Sequence, residues 1–225
     1  MLISIENVLT RDQVAHCREV LAGERWVDGR VTAGEQSARA KANLQVPQDA
    51  RAACALGEII LGTLGRNPDF VSAALPLRVY PPLFNRYDPG MGFDTHVDNA
   101  IRFAGPVRFR TDLSATLFLT DPADYDGGEL IVEDAYGEHK VKLAAGSMVV
   151  YPASSLHRVT PVSRGSRWAA FFWVQSMLRA DEQRTLLFNL DRAIQGLSAK
   201  VGQGDRDVVS LTGTYNNLLR MWAEV

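Results

Sequence analysis

Three textures of hydrophobic and polar positions follow one another along the chain. Near the start, Val14, Cys17 and Leu21 recur at helical spacing behind Thr10 and Gln13, a pair that fits a capping box. A polar stretch from Asp28 to Asn43 reads as a long loop. A second helical pattern runs from about Gln48 to Leu64, with Leu56, Ile59, Ile60 and Leu64 on one side, and stops at the breakers Gly65, Asn67 and Pro68. From Leu77 the apolar residues come in short runs rich in β-branched and aromatic types, among them LRVY, LFNRY, LSATLFL, GELIVED, HKVKL, SMVVYP, LHRVTPV and RWAAFFWVQ. DYDGGE, DAYGEH and GSRW supply turns between them. After Gln175 helical spacing returns, first in Leu186, Leu187, Leu190, Ala193, Ile194 and Leu197, then in Val208, Leu211, Tyr215, Leu218, Leu219 and Trp222. The pattern predicts a mainly β protein with flanking helices, its core a sandwich or double-sheet jelly roll rather than a parallel α/β sheet. Residues 1–177 would form the main domain and 178–225 a short C-terminal helical segment, which could pack on the barrel or mediate homo-oligomerisation.

Composition changes this picture little. A chain of 225 residues, 46% hydrophobic and 22% charged, is that of an ordinary globular protein with one sizeable domain. A net charge of -2 gives no global reason to expect nucleic acid or an anionic membrane as partner. The first residues lack the basic start and apolar core of a secretory signal, and the most apolar window, AACALGEIILGTLG, is interrupted by Glu58 and too short to span a bilayer. Two cysteines, Cys17 and Cys54, fit reduced, buried thiols of a cytoplasmic protein.

The candidate chemistry lies in the β region. His96 and Asp98 stand two apart in FDTHVDNA, a strand or its end, and side chains at that spacing on a strand share a face. His157, in SSLHRV, opens another expected strand, and a sandwich could bring it across to the other two. Two histidines and a carboxylate make the facial triad of non-haem Fe(II) oxygenases, which leaves coordination positions open. Arg167 follows ten residues after His157, and an antiparallel pair joined through SRGS could put both into one cavity. Among Trp168, Phe171, Phe172 and Trp173 a cation without an anionic partner is costly, and a dicarboxylate would satisfy it bidentately. Asn85 and Tyr87, also two apart, could hydrogen-bond a bound oxo-acid. Arg102, Arg108 and Arg110 could line the mouth and favour an acidic substrate, or form a solvated edge. Gly127, Gly128 and Glu129 read as structural, His139 as a solvated loop residue, and His16 has no role. Each ligand candidate alone has an ordinary structural reading. The ordered set is what carries weight.

The run from NRYDPGMGFDTHVD through DYDGGEL and GSMVVYPASSLHRV to GSRWAAFFWVQS resembles the prolyl-4-hydroxylase-like branch of the 2-oxoglutarate dioxygenases, and within it the PKHD-type hydroxylases. The resemblance extends to a helical C-terminus ending in YNNLLRMWAEV. It implies a double-stranded β-helix core, Fe(II) on His96, Asp98 and His157, 2-oxoglutarate on Arg167, and contacts from Asn85 and Tyr87 to the oxo-acid. It also implies that L-ascorbate supports activity by returning Fe(III) to Fe(II). The substrate, a small molecule or a peptide, would be hydroxylated with O2. The rival from another class is a non-catalytic β-barrel sensor that binds iron and an oxo-acid without turnover.

Overall fold

The computed structural model describes residues 1–32 and 40–225. Helix α1 (Arg11–Ala22) starts where the capping box places it. The Gln13 backbone N–H donates to the Thr10 hydroxyl at 3.2 Å, and the Thr10 N–H donates back to the Gln13 side chain at 2.9 Å. Helix α2 (Arg51–Leu64) buries Leu56, Ile60 and Leu64. The breaker cluster that ends it also begins another helix. Asn67 accepts from the Phe70 N–H, and Pro68 occupies the first position of α3 (Pro68–Ala74), where its missing N–H costs nothing.

Among the described residues the main sheet has eight strands. Its order is β1 (Ile3–Ile5), β14 (Met148–Pro152), β10 (Leu113–Phe118), β17 (Arg167–Ser176), β6 (Leu83–Tyr87), β4 (Leu44–Gln45) and β2 (Val27–Asp28), with β5 (Pro76–Val79) also pairing β17. A five-stranded sheet runs β13 (Gly137–Val141), β12 (Leu130–Asp134), β15 (His157–Val159), β7 (Gly92–His96) and β3 (Lys41–Ala42). Two further pairs are β11 (Asp126–Gly127) with β16 (Val162–Arg164), and the hairpin of β8 (Ile101–Ala104) with β9 (Val107–Arg110). This is the expected β core with flanking helices.

Side-chain alternation divides the core in two. On β17, Trp168, Ala170 and Val174 join a cluster with Leu21, Leu56 and Ile60 under α1 and α2. Arg167, Phe171 and Trp173 of the same strand line a pocket between the sheets. A second apolar cluster, including Tyr87, Phe118, Leu130, Val149 and Val159, fills the rest of that space. At the C-terminal end α4 (Asp181–Val201) and α5 (Arg206–Trp222) bury Leu187 with Leu75 and Leu178, packed against Tyr215, Leu218, Leu219 and Trp222. Full burial of one such leucine is worth about 1.5–3 kcal/mol. No helix among the described residues is long and apolar enough to cross a membrane.

Several expectations need correction. The Asp28–Asn43 stretch contains a 3-10 turn (Gly29–Thr32) and strand β3, besides the end of β2, while residues 33–39 of it lie outside the described residues. The run LHRVTPV is two strands, because β15 stays in the five-stranded sheet and β16 turns away to pair β11. His139 sits on β13, paired with Asp134 at 2.7 Å, rather than in a loop. Cys17 is buried, but Cys54 is exposed, and both are free.

Candidate active site

His96 ends β7 and His157 opens β15, and the antiparallel register sets them directly opposite one another. They therefore meet as neighbours within one sheet, not across the sandwich, with ring centroids 4.2 Å apart. Asp98 lies two residues past the end of β7, and its Oδ2 comes within 3.7 Å of His157 Nε2. One ligand atom from each of the three falls within 4.8 Å of the others. The second sheet orients the carboxylate, since Ser114 of β10 donates its hydroxyl to Asp98 Oδ2 at 2.5 Å.

Both imidazoles are held by the backbone. His96 Nδ1 lies 2.8 Å from the Asp94 carbonyl oxygen and His157 Nδ1 lies 3.0 Å from that of Ser155. A carbonyl only accepts, so each Nδ1 carries a proton and donates it there, which leaves Nε2 as the ring nitrogen that can meet a metal. Phe93 stacks on His96 with centroids 3.6 Å apart. Burial first, and His157 second, push the His96 imidazolium down to about 4. The ring is thus neutral near pH 7, the form that binds metal.

Arg167, only 1% exposed, lines the same pocket from the facing sheet. It is not joined to His157 by an antiparallel pair through SRGS, because β15 and β17 belong to different sheets. Its neighbours also differ from those expected. Its register partner is Tyr87, and its guanidinium carbon lies 5.3 Å and 5.1 Å from the ring centroids of Tyr87 and Phe118. Trp168 turns to the opposite face, against Trp26 and Arg18. Arg167 Nε is buried without a hydrogen-bond partner, and no carboxylate among the described residues pairs with the guanidinium. Gly128, at φ +65°, makes room for this side chain, since a Cβ there would stand 3.1 Å from Arg167 Cδ and 3.0 Å from the Tyr125 ring.

Asn85 and Tyr87 share the inward face of β6 and both line the pocket, and Asn85 Oδ1 is buried without a partner. Burial raises the Tyr87 phenol, with Arg167 opposing the shift. Of the three arginines proposed for the mouth, Arg102 lines the pocket and the others do not. Arg110 is taken by Asp112 at 2.6 Å and Glu224 at 3.2 Å, and Arg108 is exposed on β9. Sequence reasoning missed Ser114, a lone hydroxyl in an apolar strand, and Lys41, hidden in the stretch read as a loop. Lys41 is buried in the pocket wall, and its ammonium is pushed down to about 8, by burial first and then by Arg102.

A triad of two imidazoles and a carboxylate is a donor set suited to Fe(II). A buried guanidinium with an unsatisfied donor suits a carboxylate. The residues present therefore fit both groups.

Comparison with known proteins adds independent findings. The model of the 2OG-Fe(II) oxygenase superfamily matches residues 82–175, and that of the PKHD-type hydroxylase C-terminal domain matches residues 181–224. A PKHD-type hydroxylase of Cupriavidus metallidurans is 59% identical over 228 residues, covering 100% of both chains. The crystal structure of a Pseudomonas putida prolyl-4-hydroxylase superposes with a TM-score of 0.51 at 25% identity, over 78% of this chain and 92% of that one. HygX from Streptomyces hygroscopicus, solved with nickel and 2-oxoglutarate bound, shares the fold, with a TM-score of 0.54 at 14% identity over 79% and 84% of the two chains.

Proposed function

Because the chain belongs to the PKHD-type hydroxylases, which are Fe(II)- and 2-oxoglutarate-dependent dioxygenases, we propose that His96, Asp98 and His157 hold its iron and that Arg167 holds the distal carboxylate of 2-oxoglutarate. One observation carries the assignment: a fully buried guanidinium, without a carboxylate partner among the described residues, shares a pocket with three converging metal-ligand side chains. Bound iron and 2-oxoglutarate supply the oxidation, which couples decarboxylation of the oxo-acid to hydroxylation of the substrate by O2.

The chain's own residues bind, orient and exclude water. The carbonyls of Asp94 and Ser155 fix the imidazole tautomers, and Ser114 holds the Asp98 carboxylate. Arg167 anchors one end of the oxo-acid, and Asn85 and Tyr87 offer it hydrogen bonds, so that its orientation is set before reaction. Phe171, Phe172 and Trp173 keep the wall apolar. Ascorbate supports activity by returning Fe(III) to Fe(II), and the substrate is a small molecule or a peptide. Residues 1–177 form the oxygenase unit and residues 178–225 an appended helical unit, a division supported by the separate matches at 82–175 and 181–224. The free thiols of Cys17 and Cys54 suit a cytoplasmic protein.

The test is production of succinate from 2-oxoglutarate by protein reconstituted with Fe(II) and ascorbate. Oxygen-dependent succinate is expected. Tight binding of both iron and 2-oxoglutarate with no oxygen-dependent succinate across a substrate panel would identify a sensor instead.

A further inference from the structure

An oxo-acid that joins the triad to Arg167 crosses from the five-stranded sheet to the main sheet, and the polar groups lining that crossing act on it too. Tyr151 of β14 is the register partner of Ser114 on β10, so its side chain emerges on the same face and lines the same pocket. Its ring meets the His157 imidazole edge-on, with centroids 5.1 Å apart. Ser114 beside it holds Asp98. Tyr151 therefore stands next to two of the three proposed ligands, one directly and one through its strand neighbour.

The ring alone has an ordinary role. It packs in the cluster of Tyr87, Val149 and Val159, and a phenylalanine would fill that place as well. The hydroxyl is what packing leaves unexplained. Tyr151 is 4% exposed, and a buried O–H needs an acceptor. Asp98 Oδ2 is taken by Ser114 at 2.5 Å. The Thr116 hydroxyl serves the phenol as a donor, while the phenol itself donates to no carboxylate or backbone carbonyl among the described residues. Tyr80, buried to a similar degree, shows the ordinary arrangement, donating to the Phe103 carbonyl at 3.1 Å. Burial first, and the Asp98 charge second, push the Tyr151 phenol well above its ordinary range, while Arg167 opposes them. The hydroxyl thus lies within reach of both the carboxylate ligand and the guanidinium, and it enters a complex with its proton in place.

We propose that the Tyr151 hydroxyl donates a hydrogen bond to the metal end of bound 2-oxoglutarate, a contact separate from the anchoring of its distal carboxylate by Arg167. A donor to an anionic acceptor is among the stronger hydrogen bonds, and one made at that end withdraws electron density from the atoms the iron contacts. Tyr151 is then a positioning residue for the co-substrate, and the absorption of the complex reports its loss. The inference rests on the assignment of iron and 2-oxoglutarate above.

The test titrates full-length, Fe(II)-loaded protein with 2-oxoglutarate under anaerobic conditions, reading both the affinity and the position of the charge-transfer band at saturation. Tyr151→Phe keeps the ring against His157 and removes only the hydroxyl. It is expected to shift the band and to weaken 2-oxoglutarate roughly ten- to hundredfold, with iron affinity and urea midpoint as in the native protein. Arg167→Ala supplies the contrast. At saturating 2-oxoglutarate its band should stand where the native one does, because the contact it loses lies away from the metal. Tyr151→Met, whose pliable chain refills the space, takes over as the test should the phenylalanine variant not fold. An unmoved band in the hydroxyl-free variant, an unchanged affinity, or a loss of iron along with 2-oxoglutarate would overturn the proposal, the last by showing a purely structural role. Native protein that develops no band would sink the underlying assignment, and this inference with it.

Discussion

The two sheets that face each other across the pocket follow different rules. The main sheet presents long, covered strands. Every residue of β10 is buried, and eight of the ten in β17. The five-stranded sheet is shorter and half open to solvent. No residue of β7 is fully buried, and only one of β13 is. The metal-ligand candidates come from the end of β7, the start of β15 and the segment just past β7, where the backbone leaves the ladder. The arginine comes from the covered wall. The contrast has a physical reason: a metal centre needs convergent lone pairs and an open approach for substrate, whereas an anion anchor gains strength from exclusion of water.

Substitutions on the two walls should therefore fail differently. The largest effect belongs to the open wall. Asp98→Ala and His157→Ala should each abolish iron binding and oxygen-dependent succinate production together, as read by metal analysis and product assay. On the covered wall Arg167→Ala should leave iron bound and raise the 2-oxoglutarate requirement steeply. Removing one partner of a buried charge pair costs about 3–5 kcal/mol, or roughly two to four orders of magnitude in affinity. A Gly128→Ala change forces a side chain into left-handed backbone against Tyr125 and Arg167, and should lower stability by about 1–2 kcal/mol in denaturant titration while weakening 2-oxoglutarate binding. Ser114→Ala crosses between the walls. It should cost about tenfold in iron affinity with little change in fold stability.

The smallest effect is on pH dependence. His96 is held down to about 4 in the fold against 6.5 ordinarily, so between those values the unfolded chain binds more protons. Metal-free protein should lose stability as pH falls from 6.5 to 4, with no contribution from this group above that window. His96→Gln should flatten that part of the stability profile in urea titrations, and an unchanged slope would show that His96 is not sheltered.

The covered wall was also the more legible in sequence. Alternation in RWAAFFWVQ and LFNRY places Arg167, Asn85 and Tyr87 on inward faces, because a two-residue period is all that a strand requires. Less could be read on the open wall. The H-x-D spacing brings His96 and Asp98 together, but that His157 is a direct cross-strand partner of His96 depends on register, which no local pattern in SSLHRV encodes. Pairing likewise hid Lys41, since β3 is two residues long and gains its place only as an edge of β7. The β8–β9 hairpin went unseen because its arginines interrupt the apolar run, although they alternate with Ile101, Phe103, Val107 and Phe109 as a hairpin demands.

The claim that the two walls hold one chelate between them is tested most directly by anaerobic addition of Fe(II) and 2-oxoglutarate to the native protein, followed by visible absorption. The weak metal-to-ligand charge-transfer band of an iron-bound oxo-acid should appear at one equivalent of each. It should vanish in Asp98→Ala, and in Arg167→Ala return only at much higher 2-oxoglutarate. Absence of the band in native protein, or an identical band in all three, would contradict the account.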